Sequence, residues 1–197
     1  MMSEWEIQEE GALDVDIRHL KMQSAQAIRS VQDALVELIT NSDDAYGKMG
    51  ETEAGVVIRV TRKRRSTPSV IEVRDRAGGM TLEEMKNKIL RYGGFDAPLA
   101  SRGYMGRGAK DIVALGNVVF ESVKDGWVSR VEISKDFQKK VMKPARASEN
   151  HYKDYGIKPG RGGTRVTLEL AKAHVPHHDT LCRDLQRQFA LRDILQR

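Results

Sequence analysis

The run Leu35-Val36-Glu37-Leu38-Ile39-Thr40-Asn41-Ser42-Asp43-Asp44-Ala45 decides how this chain is read. Glu37, Asn41 and Asp44 stand four and three residues apart. At about 100° per residue, their directions on a helix fall within roughly 60° of one another. Val31, Ala34, Leu35, Leu38 and Ile39 recur at helical spacing and form an adjacent apolar stripe, which predicts docking on a core. The polar trio therefore flanks a buried seam, where unsatisfied carboxylate and amide groups are costly. A divalent cation and an activated water would satisfy them. For this helix by itself, the plain alternative is a solvated polar flank.

Three later segments bear on that choice. Val70-Ile71-Glu72-Val73-Arg74-Asp75-Arg76-Ala77-Gly78-Gly79-Met80-Thr81 reads as a β-branched strand that ends in an aspartate and a small-residue turn. Such a turn admits a flat ligand close to the backbone, and Asp75 could accept a hydrogen bond from an exocyclic amine. Thr81 and Glu84 have the capping-box spacing, so a helix is expected to start near Leu82. Gly103-Tyr104-Met105-Gly106-Arg107-Gly108-Ala109-Lys110-Asp111 precedes the apolar run Ile112-Val113-Ala114-Leu115. Glycines opening a helix expose N–H groups to an anion, and Arg107 and Lys110 add positive charge. The pattern is neither a P-loop nor a dinucleotide fingerprint. Finally, Gly162-Gly163 lead into Thr164-Arg165-Val166-Thr167-Leu168-Glu169-Leu170, whose alternation puts Val166, Leu168 and Leu170 on one face.

Taken in order, these segments resemble the GHKL superfamily, the ATP-binding domains of DNA gyrase B subunits, heat-shock chaperone ATPases, sensor histidine kinases and MutL mismatch-repair proteins. The resemblance covers residues 30–170. It implies that Glu37 is the general base for the attacking water, that Asn41 ligates Mg2+, and that Asp44-Ala45 line the nucleotide pocket. It further implies that Asp75 accepts the adenine amine, Gly79-Met80 approach the ring, and Thr164 makes a water-mediated adenine contact. Gly103, Gly106, Arg107, Gly108, Ala109 and Lys110 would form the phosphate side, at the hinge of an ATP lid. The chain departs from the family at Ala77, where the second motif usually has its first glycine; alanine fits there if its φ stays negative. Glu37 and Asp44-Ala45 resemble the hydrolysing chaperone and mismatch-repair branches. The histidine-kinase form would instead need an acceptor such as His19.

The resemblance implies a Bergerat ATP-binding fold: a two-layer α/β (α+β) sandwich with a mixed, mostly antiparallel sheet covered on one face by helices. Helices are expected over 16–30, 31–46 and 82–90, through a phosphate-side helix that ends at Leu115, and over 178–196. Strands are expected over 55–61, 69–75, 117–123, 127–134 and 164–170, with a lid over 92–103 and a Lys- and Gly-rich loop before the last strand. The whole chain, 1–197, reads as one domain, with an N-terminal extension over 1–29 and a terminal helix over 171–197. That helix is expected to lead to a downstream transducer domain.

The chain of 197 residues, 40% hydrophobic and 31% charged, fits a folded domain and not a disordered one. It has no apolar run of membrane-spanning length and no signal-peptide pattern, and its one cysteine, Cys182, has no internal disulfide partner; a cytoplasmic location is the expectation. The net charge of +5 leaves nucleic acid open as a partner. The excess lies in Arg62-Lys63-Arg64-Arg65 and in the stretch from Lys135 to Lys158, and solvated loops account for both. His174, His177 and His178 lack metal-ligand spacing, Trp5 and Trp127 are expected to pack, and Tyr92, Phe95 and Tyr104 would lie in the lid region. ATP or ADP is the expected ligand, with an ATP-dependent homodimer as a further expectation. A nucleotide-sensing or partner-binding module without useful hydrolysis is the competing reading.

Overall fold

The computed structural model describes residues 16–50, 55–62, 68–91, 108–171 and 173–195. Helix α1 (Ile17–Ala27) is followed by α2 (Val31–Lys48), and α2 begins on a reciprocal capping box between Ser30 and Asp33. Its predicted stripe is realised: Val31, Ala34, Leu35, Leu38 and Ile39 are all buried. Thr81 and Glu84 likewise form the expected box at the start of α3 (Leu82–Met85), which runs on into a wider π-turn over Lys86–Leu90. The segment opening at Gly108 forms a short helix, α4 (Gly108–Asp111), and tightens into a 3-10 turn over Ile112–Leu115.

Among the described residues, seven strands form one sheet: β1 (Val57–Thr61), β2 (Val70–Arg74), β3 (Gly116–Lys124), β4 (Trp127–Ile133), β5 (Lys139–Val141), β6 (Ala145–Arg146) and β7 (Gly163–Leu170). Their order is β1-β2-β7-β3-β4-β5, with β6 also on β4. Every pairing among the described residues is antiparallel, so the sheet lacks the parallel component expected of a mixed one. The late strand β7 inserts between β2 and β3, running opposite to both. That brings Asp75, at the end of β2, beside Thr164.

Strand alternation divides the sheet into two faces. Ile71, Val73, Val118, Phe120, Val131, Val166, Leu168 and Leu170 form the main core with Leu35 and Leu38 of α2, Met85 and Ile89. The opposite face is not bare, as single-sided cover would have it. Helix α5 (Glu149–Tyr155) buries Tyr155 against Val123 and Val128 there. The Lys- and Gly-rich stretch therefore contains two short strands and a helix. Ser148 and His151 cap the helix start, and Gly156 ends it at φ 63°. The terminal helix is also shorter than expected. Helix α6 (His178–Gln186) stops, Gln188 turns extended, and the chain continues through a 3-10 turn (Phe189–Leu191) into α7 (Arg192–Leu195). That break buries Leu191 completely. No helix among the described residues is long and apolar enough to cross a membrane.

Candidate functional site

On α2, the docking stripe fixes the direction of the polar flank. Asn41 Nδ2 donates to Glu37 Oε1 at 2.8 Å, and both residues are half-buried. Burial raises the pKa of Glu37, the Asn41 hydrogen bond pulls it down, and the negative charges of Asp111 and Asp44 push it up again. Asp44 and Ala45 continue the half-buried flank. Ser42, one position beyond Asn41, is buried and points into the neighbouring strand end.

There Ser42 Oγ meets Asp75. The Asp75 carboxylate is only 7% exposed and accepts three bonds: from Ser42 Oγ to Oδ2 at 3.1 Å, and from the Ala77 and Thr164 N–H groups to Oδ1 at 3.1 and 3.2 Å. The Asp75 N–H in turn donates to the Thr164 carbonyl at 2.9 Å. Burial is the largest influence on Asp75 and raises its pKa; the three hydrogen bonds oppose it. Oδ2 retains acceptor capacity beyond Ser42.

Ser122 makes the rest of this polar floor. Its hydroxyl accepts from the Met80 N–H at 2.7 Å, donates to the Gly163 carbonyl at 3.0 Å and lies 3.1 Å from Thr164 Oγ1. The turn after Asp75 is held close to the sheet. Gly79 has φ 70°, and a Cβ there would sit 2.0 Å from the Val123 carbonyl oxygen, so the position demands glycine. Ala77 has no positive φ, which is the condition for alanine in that slot. Tyr46 ties the same turn to α2, its hydroxyl accepting from the Arg76 N–H at 2.8 Å and donating to the Gly55 carbonyl at 2.9 Å.

The other end of the flank meets α4. A Cβ on Gly108 would lie 2.0 Å from both Cδ and Oε1 of Glu37, so the Glu37 carboxylate rests directly on the Gly108 backbone. Ala109 is half-buried and packs against the main core. Lys110 is buried and its ammonium donates to the Arg91 carbonyl, while Asp111 accepts from Ser24 Oγ of α1 at 2.6 Å. Gly103, Gly106 and Arg107, and with them Tyr92, Phe95 and Tyr104, lie outside the described residues.

The structure thus gathers Asp75, Thr164, Gly79 and Met80 at one end of α2, and Glu37, Asn41 and Gly108 further along it. Ser42 to Glu37 is five residues, roughly 7–8 Å of helix rise. Two partners escaped the sequence reading. Ser122 had a legible signal: it follows Val118 and Phe120 at period two, a polar residue where the core face calls for an apolar one. Ser42 had none beyond its place next to Asn41.

The remaining candidates lie elsewhere. Trp127 is 42% exposed with the Arg146 guanidinium 4.3 Å from its ring centre, so it does not pack inside as expected. His174, His177 and His178 are exposed, and no group of three or more His, Cys, Asp or Glu among the described residues is arranged to hold a metal. Arg62 donates to the Pro176 carbonyl; residues 63–65 and Trp5 lie outside the described residues. No protein-family model matches this chain, and no curated protein matches it.

Proposed function

We propose that this chain is a GHKL-type ATP-binding domain with a Bergerat fold, which binds ATP with magnesium, hydrolyses it slowly and serves as a nucleotide-driven switch. The observation that carries the reading is Asp75, a buried carboxylate at a strand end whose Oδ1 is saturated by two backbone donors while Oδ2 keeps room for another. An exocyclic amine would satisfy that oxygen. Guanine would present an oxygen acceptor in the same place, so the pocket favours adenine.

Glu37 supports hydrolysis. Desolvation makes its carboxylate a stronger base than a free glutamate, and Asn41 fixes its orientation. In the reaction, Glu37 takes a proton from water as the water oxygen bonds to the γ-phosphorus and the bond to the ADP oxygen breaks; positioning and electrostatics dominate such transfers. Asn41 donates through Nδ2, which leaves its Oδ1 as the hard oxygen a magnesium ion requires. The ion supplies positive charge to the phosphate oxygens. ATP-dependent homodimerisation and a downstream transducer domain belong to this same proposal, which the resemblance supports.

Glu37→Ala tests the assignment. It removes the base and keeps the Asp75 pocket, so phosphate release should stop while ADP affinity persists. Unchanged turnover would remove Glu37 from the reaction and leave a nucleotide-sensing module.

A further inference from the structure

We propose that the sheet edge made by β5 and β6 along β4 binds single-stranded nucleic acid, with Lys139, Lys140 and Lys143 on the phosphates and Trp127 against a base. Three features of that edge carry the inference, all independent of the nucleotide site.

The first is charge. Residues 138–147 hold Lys139, Lys140, Lys143 and Arg146 and no acid, and all four cations are exposed. The strand register lays them out in a row: Lys139 stands opposite Ile133, Lys140 opposite Glu132 and Arg146 opposite Trp127. From Ile133 to Trp127 the row extends over roughly 20 Å. The acids nearest to it in the register and in the preceding turn are engaged elsewhere: Glu132 pairs with Arg130 at 2.7 Å, and Asp136 with Lys21 at 2.9 Å. Lys139, Lys140 and Lys143 form no ion pair among the described residues. A row of uncompensated cations repels itself, and a polyanion laid along it relieves that repulsion while releasing its own counterions.

The second is an exposed aromatic ring at the end of the same row. Trp127 is 42% exposed, although tryptophan is on average one of the more buried residues. The Arg146 guanidinium lies 4.3 Å from its ring centre, so a flat apolar surface and a positive charge are presented together. Stacked bases and their phosphates are held by this combination. Lysines alone suffice to guard an edge strand against unwanted pairing, and guarding gives no reason to expose a tryptophan.

The third is a groove of about 300 Å3 between β5 and the π-turn, lined by Lys86, Leu90, Arg91, Lys139 and Val141. Register and alternation put Lys139, Val141 and Arg146 on the sheet face that carries Trp127, so groove and ring belong to one surface. Leu90 and Val141 offer apolar contact beneath a cationic rim, which receives a second unstacked base. Only a single strand has base faces free for both places, since a duplex keeps its bases stacked inside. An acidic peptide would meet the lysines and leave the indole unused.

Fluorescence anisotropy of a labelled oligothymidylate of about 12 nucleotides, titrated with the full chain over a series of salt concentrations, tests this. The natural chain should bind saturably, and more weakly as salt rises. In Lys139→Gln/Lys140→Gln/Lys143→Gln, the slope of log affinity against log salt should become shallower by about 2. Trp127→Leu should weaken binding roughly 5- to 150-fold at an unaltered slope, and Trp127→Phe, which keeps a ring, should bind nearly as the natural chain does. Thermal unfolding of each variant checks that these exposed substitutions leave the fold intact. No saturable binding, an unchanged slope in the triple variant, or equal affinities for the Leu and Phe variants would overturn the proposal. So would equal affinity for a duplex of the same length, or equally effective competition by polyglutamate, which would assign the edge to an acidic protein.

Discussion

Replacing Asp75 with asparagine separates the binding role of this carboxylate from its structural one. Asparagine keeps Oδ1, and with it the Ala77 and Thr164 N–H bonds at 3.1 and 3.2 Å. Its Nδ2 takes the place of Oδ2, and the Ser42 hydroxyl, now 3.1 Å away as a donor, can rotate to accept. The substitution also removes a buried charge. The fold therefore survives, and the loss falls on the ligand, whose amine would face a donor where it needs an acceptor. A hydrogen bond to a charged group contributes about 1.5–3 kcal/mol, which corresponds to a roughly 10- to 150-fold rise in the dissociation constant. Calorimetric titration with ADP, run beside thermal unfolding of the same preparation, reads both effects. An unchanged affinity would refute the adenine contact. A large drop in melting temperature together with lost binding would show that Asp75 is chiefly a structural knot.

The pH dependence follows from the same burial. Asp75 and Glu37 both hold their protons more tightly folded than unfolded. Their contribution to stability is therefore full below the ordinary carboxylate range near about 4 and is lost as pH rises through the raised folded values. In urea melts from acid to neutral pH, Asp75→Asn should gain on the natural protein as pH rises; a constant difference would contradict the direction of the shift. Gly79→Ala should destabilise by at least about 1–2 kcal/mol from its left-handed backbone alone. The overlap with the Val123 carbonyl adds to this, so unaltered urea unfolding would mean the turn is not held as described. Tyr155 is fully buried, and its hydroxyl has no hydrogen-bond partner among the described residues. Tyr155→Phe should therefore raise the urea midpoint, by about 1 kcal/mol in stability; a fall would reveal a partner for the hydroxyl.

Much of what positions the site was readable from residue order. The α2 stripe, the Thr81–Glu84 box and the buried faces of β2 and β7 are local periodicities, and each element began and ended within a few residues of its expected place. What was not readable depends on distant partners. Ser42 and Ser122 reach Asp75 and Met80 across 33 and 42 residues; period two marks Ser122 as a polar residue on the core face, but no local pattern names the partner of either serine. The antiparallel character of the whole sheet arises because β7 inserts between β2 and β3, a non-local choice that strand periodicity does not encode. Helix α5 was hidden for a similar reason. Its short sequence is polar except at Tyr152 and Tyr155, and only the far face of the sheet gives Tyr155 a place to bury.

On the proposed function, Asp75 and the flank of α2 hold one adenine nucleotide between them. Titrating the unmodified chain with ADP and with GDP, each with magnesium, tests it most directly. Saturable heat is expected with ADP, and little or none with GDP. No heat with ADP, or equal heats with both, would contradict it.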